Sequence, residues 1–391
     1  MEIAGRSVHN PPMIPARTLL PLALLVALSC ASAPQAPQLP SLPMGADGFR
    51  PLFNGADLTG WVNVNGAPDT WTWREGMLVC SGVPTGVLRS ERMYGDFVLE
   101  LEWRHLKPGG NAGVFVRSEA LPARGVPFTK SIEVQVLDGT ETKEYTSHGD
   151  VFAIHGARLK PDRPHPSGWE RCLPSERRAK PSPQWNHYKV TCRGGVLELE
   201  VNGALVSGAS ELSDPSGYLC LESEGSEVHF RNLRVKELSP PRVAPQADRG
   251  WKTLYDGTGF AGWRKPAGAD AAHWLPRDWT LACESPAATL WTAADHGDCE
   301  VLLDVRAVEG SPTAVLRARG EKGFEIAVKP KSGGEWTRVR ARFESDALDV
   351  DIDGERSEFE MPDVAARGTL GLLGEGGGRL EFANLFVRDL P

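Results

Sequence analysis

The segment Ser131-Ile-Glu-Val-Gln-Val-Leu-Asp138 carries the residue types and spacing best suited to chemistry. Its alternation puts Ile132, Val134 and Val136 on one strand face and Glu133 and Gln135 on the other, with Asp138 at or just beyond the strand end. A carboxylate and an amide side by side on a concave sheet can hold sugar hydroxyls and supply a base. The same pattern also describes a solvated polar face ending in a turn aspartate. Ala112-Gly-Val-Phe-Val-Arg117 reads as a neighbouring strand, led in by Gly109-Gly110-Asn111. Asn111 suits a turn. Arg117 closes an apolar strand, where it can pair with Glu133 or Asp138 or hold a substrate oxygen.

A polar excursion follows, Tyr145 to Lys180, containing His148, Asp150, His155, His165, Trp169 and Arg171 among others. No HxH or HExxH spacing occurs there, so no metal site is assigned and no cofactor is expected, with a divalent ion left as an open alternative. Trp169 or Trp185 offers an aromatic face to the C–H face of a sugar ring. For Trp185 core packing fits equally, because Trp336 matches it in a part of the chain without the excursion.

That match belongs to an internal repeat, which organises the whole sequence. Phe49–Trp61 aligns without a gap on Trp251–Trp263, and Tyr94–Arg104 falls on His296–Arg306 at the same offset. Later, Gln184-Trp185 matches Glu335-Trp336, Val201-Asn-Gly203 matches Ile352-Asp-Gly354, and Phe230–Leu238 matches Phe382–Leu390. Runs such as Phe97–Trp103 and Val196–Val201 alternate apolar with polar, and Asn202-Gly203 is a hairpin turn signal. Many short strands without long amphipathic helices predict an all-β protein of antiparallel sandwiches or jelly rolls. Between the matched Arg and the matched Trp the first copy spends about 80 residues and the second about 30. The excess is expected within 109–180, as a loss from the second copy of the Gly-Gly-Asn loop, the Glu133/Gln135/Asp138 strand and the excursion. Polar loop beyond what a scaffold needs is where function concentrates.

The N-terminus reads as a targeting segment. Arg6 and Arg17 precede the apolar run Leu19–Leu28, which is too short to span a bilayer as a helix. It ends in Ala27-Leu28-Ser29-Cys30, similar to a bacterial lipoprotein box, with Ala27 and Leu28 departing from its usual residues; an ordinary secretory signal is the alternative. Lipidation at Cys30 would anchor the chain to a membrane, and residues 31–47, rich in Ala, Pro, Gln and Ser, would be its tether. The expected organisation is 1–30 signal peptide, 31–47 tether, 48–238 first sandwich, 239–248 Pro-rich linker and 249–391 second copy. An exported chain with six further cysteines permits disulfides, a Cys283–Cys299 pair among them, whereas buried unpaired cysteines on strands fit equally. A formal net charge of −8 argues against nucleic acid as a partner.

Taken together, Leu52-Phe-Asn-Gly-x-Asp-Leu-x-Gly-Trp61, Gly109-Gly-Asn-x-Gly-Val-Phe-Val-Arg117, Ile132–Asp138, Gln184-Trp-Asn186 and Phe230-Arg-Asn-Leu233 resemble the 3-keto-disaccharide hydrolase family, over about residues 48–238. Residues 249–390 look like a degenerate copy. The resemblance implies two concanavalin A-like jelly-roll β-sandwiches in tandem, acting on 3-keto-glycosides in the bacterial cell envelope, periplasmic or at the outer membrane. A C3 ketone acidifies the C2 hydrogen, so one base and an oxyanion partner suffice for elimination and hydration. That chemistry would assign Glu133 as base, Asp138 or His155 as acid, Asn111, Arg117 and Gln135 to position substrate and stabilise the enolate, and Trp169 to bind sugar. The family usually has Asn-Ser where this chain has Asn111-Ala112. A non-catalytic carbohydrate-binding lipoprotein is the alternative.

Overall fold

Along Phe97–His105 every second side chain is buried, and Asn186–Arg193 repeats the pattern. These strands therefore show one face to a core and one to the surface. They pair with each other in the back sheet of a sandwich, and Phe97–His105 pairs on its other side with Val228–Glu237. The structure is a computed structural model and describes residues 42–266, 268, 273–361 and 365–390. The signal-like segment and Cys30 lie outside the described residues.

The back sheet runs in the order Lys160–Pro161, Ala204–Ser210, Val196–Val201, Asn186–Arg193, Phe97–His105, Val228–Glu237, Met77–Cys80, Trp71–Arg74. The front sheet runs Arg171–Cys172, Val151–Ile154, Ser131–Leu137, Asn111–Ser118, Gly217–Ser223, Gly86–Tyr94, Trp61–Val64. Every residue of Ser131–Leu137 and Gly217–Ser223 is buried. Their inward side chains, such as Val134 and Leu221, fill the core between the sheets, so something other than solvent also covers their outward ones.

The second half repeats this strand order: Trp274–Arg277, Thr280–Ser285, Gly378–Asp389, Cys299–Gly310, Thr337–Glu344, Ala347–Ile352 and Glu355–Glu360 in one sheet, and Trp263–Arg264, Leu290–His296, Gly368–Glu375, Thr313–Ala318 and Phe324–Val328 in the other. The fold is thus all-β, built of two jelly-roll sandwiches, each with its own apolar core. One sequence expectation needs correction. The second copy keeps a counterpart of the Glu133/Gln135 strand expected to be lost, since Thr313–Ala318 pairs with Phe324–Val328 as Asn111–Ser118 pairs with Ser131–Leu137. What it lacks is the stretch beyond, 138–180, which adds the three short strands Val151–Ile154, Lys160–Pro161 and Arg171–Cys172 to the first sandwich. A third apolar cluster joins Val64, Val87, Phe115 and Cys220 on the front sheet to Trp251, Leu302 and Phe386. The second sandwich therefore roofs part of the front face.

The described cysteines are all unpaired and buried, Cys283 and Cys299 included, so the conceivable disulfide is not formed. They act as small apolar side chains of the sheets.

Candidate active site

Register places the polar residues of the front face in rows. Gly113 stands opposite Gln135, and Phe115 opposite Glu133, which in turn faces Phe152. On the other flank Leu221 pairs with Val114, so Glu222 falls beside Gly113 and Glu224 beside Asn111. Two carboxylates from non-adjacent stretches of sequence, Glu133 and Glu222, thus meet over one glycine, with Glu224 next to them beside Asn111. A β-carbon on Gly113 would stand 2.8 Å from Glu133 Oε1 and 2.9 Å from Glu222 Oε2, closer than real contacts allow, so only glycine lets both acids occupy this spot.

The amides complete the cluster. Gln135 Nε2 donates to Asn111 Oδ1 at 2.8 Å, and Asn111 Nδ2 donates to Glu224 Oε2. Arg171 lies on Phe152, its Cζ 3.6 Å from the ring centroid, and its Nη1 bonds Asp150 Oδ2 at 2.9 Å. Burial sets the protonation of the acids. Glu133 is 6% exposed and Glu222 2%. Burial pushes Glu133 up to about 8, Glu224 and Asp150 add to the rise, and the Arg171 charge opposes it. Glu222 is held well above the carboxylate range by burial and then by Glu133 and Glu224, and burial also raises Glu224 against its bond from Asn111. Glu222 Oε2 has no hydrogen-bond partner among the described residues. Two buried carboxyls so close cannot both ionise cheaply, so near neutrality the cluster keeps at least one proton. It holds a candidate base and a candidate acid at once.

The second sandwich has lost this arrangement at equivalent positions. Val315 replaces Gly113, Leu373 replaces Glu222 and Ala327 replaces Gln135. Glu325 stands in the place of Glu133 but is paired with Arg317 at 2.7 Å.

Of the residues picked out by sequence, Glu133, Gln135 and Asn111 come together. Arg117 does not join them. It is buried with φ 57° and pairs with Asp96 at 3.4 Å, while Asp96 also accepts from the Gly194 amide. Arg319 and Asp298 repeat the strut in the second copy, where φ of Arg319 is 63° and the pair is 3.1 Å apart. Arg117 is therefore a structural brace, because its left-handed backbone turns it away from the strand's polar row. Asp138 falls on the alternate parity to Glu133 and accepts from the Ser182 amide at 3.1 Å. His155 sits in an exposed turn with φ 52°, stacked on Phe128. Trp169 is 48% exposed and stacks on His165, 4.6 Å between centroids. Trp185 lies between the guanidiniums of Arg104 and Arg231, 4.6 and 4.0 Å from its ring, and Trp336 meets Arg306 at the same 4.6 Å, a surface stack shared by both copies. Glu222 and Glu224 escape the sequence reading, which singles out no residue of that strand. The alternation Cys220-Leu-Glu-Ser-Glu224 is the signal that marks them. Among the described residues no group of three or more His, Cys, Asp or Glu is arranged to hold a metal ion.

A jelly-roll sandwich with a buried carboxylate cluster on its outer sheet face defines the class of protein. Residues 48–236, which make up the first sandwich, match the family model of the 3-keto-alpha-glucoside-1,2-lyase-like domain. A 3-keto-disaccharide hydrolase of Bacteroides thetaiotaomicron is 24% identical over 243 residues, an alignment covering 49% of this chain and 79% of that protein. A provisionally assigned glycosyl hydrolase from Parabacteroides distasonis is 23% identical, covering 50% of this chain and 95% of that one with a TM-score of 0.39. A carbohydrate-binding module from Bacillus subtilis is 15% identical, covering 47% and 98%, with a TM-score of 0.34.

Proposed function

We propose that the first sandwich cleaves 3-keto-glycosides by elimination and hydration, with Glu133 as the base that removes the C2 proton. The observation that carries this reading is the convergence of Glu133 and Glu222 over Gly113, in a domain that matches a family model named for 3-keto-glucoside lysis. Deprotonation at C2 sends an electron pair toward the C3 oxygen, and the amides of Asn111 and Gln135 stabilise the resulting enolate, with the Arg171 charge nearby. The C1–O bond then breaks as Glu222, which burial keeps protonated, gives its proton to the leaving oxygen. Water adds to the enone at C1, losing a proton to the Glu222 carboxylate, while Glu133 returns a proton to C2. The acid role thus passes from Asp138 and His155 to Glu222, which lies beside the base. Export and anchoring through a lipidated Cys30 place this activity in the cell envelope, and sequence residues 31–47 fit a tether for it.

Turnover of a 3-keto-glycoside by wild type and by Glu133→Gln is the test. Cleavage by wild type that falls on the order of 10²–10⁴-fold in the variant supports the base. Binding without turnover in both defeats the enzyme reading and leaves a carbohydrate-binding protein.

A further inference from the structure

Among the described residues the second sandwich keeps no carboxylate cluster like that of the first, yet two of its tryptophans sit where it grips segments that lead to the first sandwich's front sheet. Trp279 sits at the tip of the hairpin joining Trp274–Arg277 to Thr280–Ser285, where the matching hairpin of the first copy has Gly76. Its neighbour Asp278 grips Thr85, accepting from the Thr85 amide at 2.8 Å and from its hydroxyl at 2.7 Å. Thr85 directly precedes Gly86, which pairs with Ser223 between Glu222 and Glu224. Trp279 also meets Trp336, with ring centroids 5.9 Å apart. Trp336 in turn lies against Gly125, where a β-carbon would come within 2.2 Å of its Cδ1.

The Gly125 loop is locked by Asp304, which accepts from the Gly125 amide at 2.8 Å, and by Asn384 and Arg338, which donate to Val126, Ala123 and Pro122 carbonyls. From there the chain runs to Phe128 on Phe115, the residue paired with Glu133. The two indoles therefore bridge segments that lead, on one side, to Glu222 and Glu224 and, on the other, to Glu133. Both are half-buried, so part of each ring stays open to solvent.

We propose that Trp279, with Trp336 behind it, is a stacking platform for the leaving sugar of the substrate, so that the active cleft belongs to both sandwiches. An indole face suits the C–H face of a pyranose, and its rigidity keeps the ordering cost of binding low. The proposal rests on the glycoside-cleaving reading of the Glu133 site. It gives the second copy a role that explains why its own carboxylates are gone while its hairpin has gained a tryptophan.

The test compares Trp279→Gly, which restores the residue found in the first copy, and Trp279→Phe with wild type. Each is assayed on a 3-keto-disaccharide and on the methyl 3-keto-glycoside, whose leaving group has no ring. The platform predicts a KM for the disaccharide raised about 10-fold in Trp279→Gly, largely restored in Trp279→Phe, with kcat and the methyl glycoside unchanged. Equal losses on both substrates, or no change on either, overturn it. If wild type cleaves neither substrate, the catalytic reading fails by itself. Calorimetric disaccharide binding then decides the platform: weakening in Trp279→Gly supports it, and unaltered binding overturns it.

Discussion

Replacing Glu133 with Gln should make the protein more stable, and only at higher pH. In the folded state burial holds the Glu133 carboxyl up at about 8, against 4.5 for a free glutamate. A carboxyl raised in this way costs the fold nothing below the unfolded pKa, because both states are then protonated. The cost builds as pH climbs from about 4.5 toward 8, where the unfolded chain has released its proton and the folded one resists doing so. At about 1.4 kcal/mol for each pH unit of displacement, the upper limit near pH 8 is roughly 4 kcal/mol. Relaxation and proton sharing with Glu222 reduce this to about 2–4 kcal/mol. Glutamine keeps the shape without the charge, and Arg171 keeps its partner Asp150, so no new orphan charge is created. Urea unfolding of both proteins at about pH 4, 6 and 8 measures the difference. The midpoints should coincide at pH 4 and diverge, in favour of the variant, as pH rises. A variant that is equally stable at every pH, or less stable at pH 8, would refute the idea that the site is built at the expense of stability.

Other consequences concern the same cluster and its supports. Glu224→Gln removes a Coulombic contribution that raises the Glu133 carboxyl, so the rising limb of the kcat/KM profile should move to lower pH. An unmoved limb would mean the two carboxyls titrate independently. Gly113→Ala drives a methyl toward both carboxylates and the Phe115 ring, so it should cost about 1–3 kcal/mol of stability and most of the activity, read by thermal melting and turnover. Arg117→Met removes a buried guanidinium from the part-exposed Asp96 and should lower stability by about 1–2 kcal/mol, while KM of the folded fraction stays at the wild-type value. A raised KM would return Arg117 to the site.

Much of the fold was legible because it depends on local patterning. The alternation of Phe97–Trp103 and Ile132–Val136 fixed which side chains face a core, and the repeated blocks announced two sandwiches of one topology. Glu133, Gln135 and Asn111 could be found because one strand and its hairpin-like neighbour carry them. Glu222 and Glu224 could not be placed that way. They reach Gly113 through a pairing between strands about a hundred residues apart, and register between such strands is a tertiary property. Arg117 misled because parity alone cannot foresee a left-handed residue that turns the strand. Its counterpart Arg319, at the same offset as Asp298 from Asp96, shows that the repeat already held the answer. The second copy's strand Phe324–Val328 was hidden by a shortened loop before it, which shifts the alignment while the pairing persists.

Solvent exchange at C2 of the substrate tests the central claim most directly. With a 3-keto-glycoside in D2O, Glu222→Gln should retain the base but lack the acid, and deuterium should enter C2 faster than the glycosidic bond breaks. Glu133→Gln should show neither exchange nor cleavage above the uncatalysed rate. Exchange at the wild-type rate in Glu133→Gln would contradict the account, because some other group would then be removing the proton.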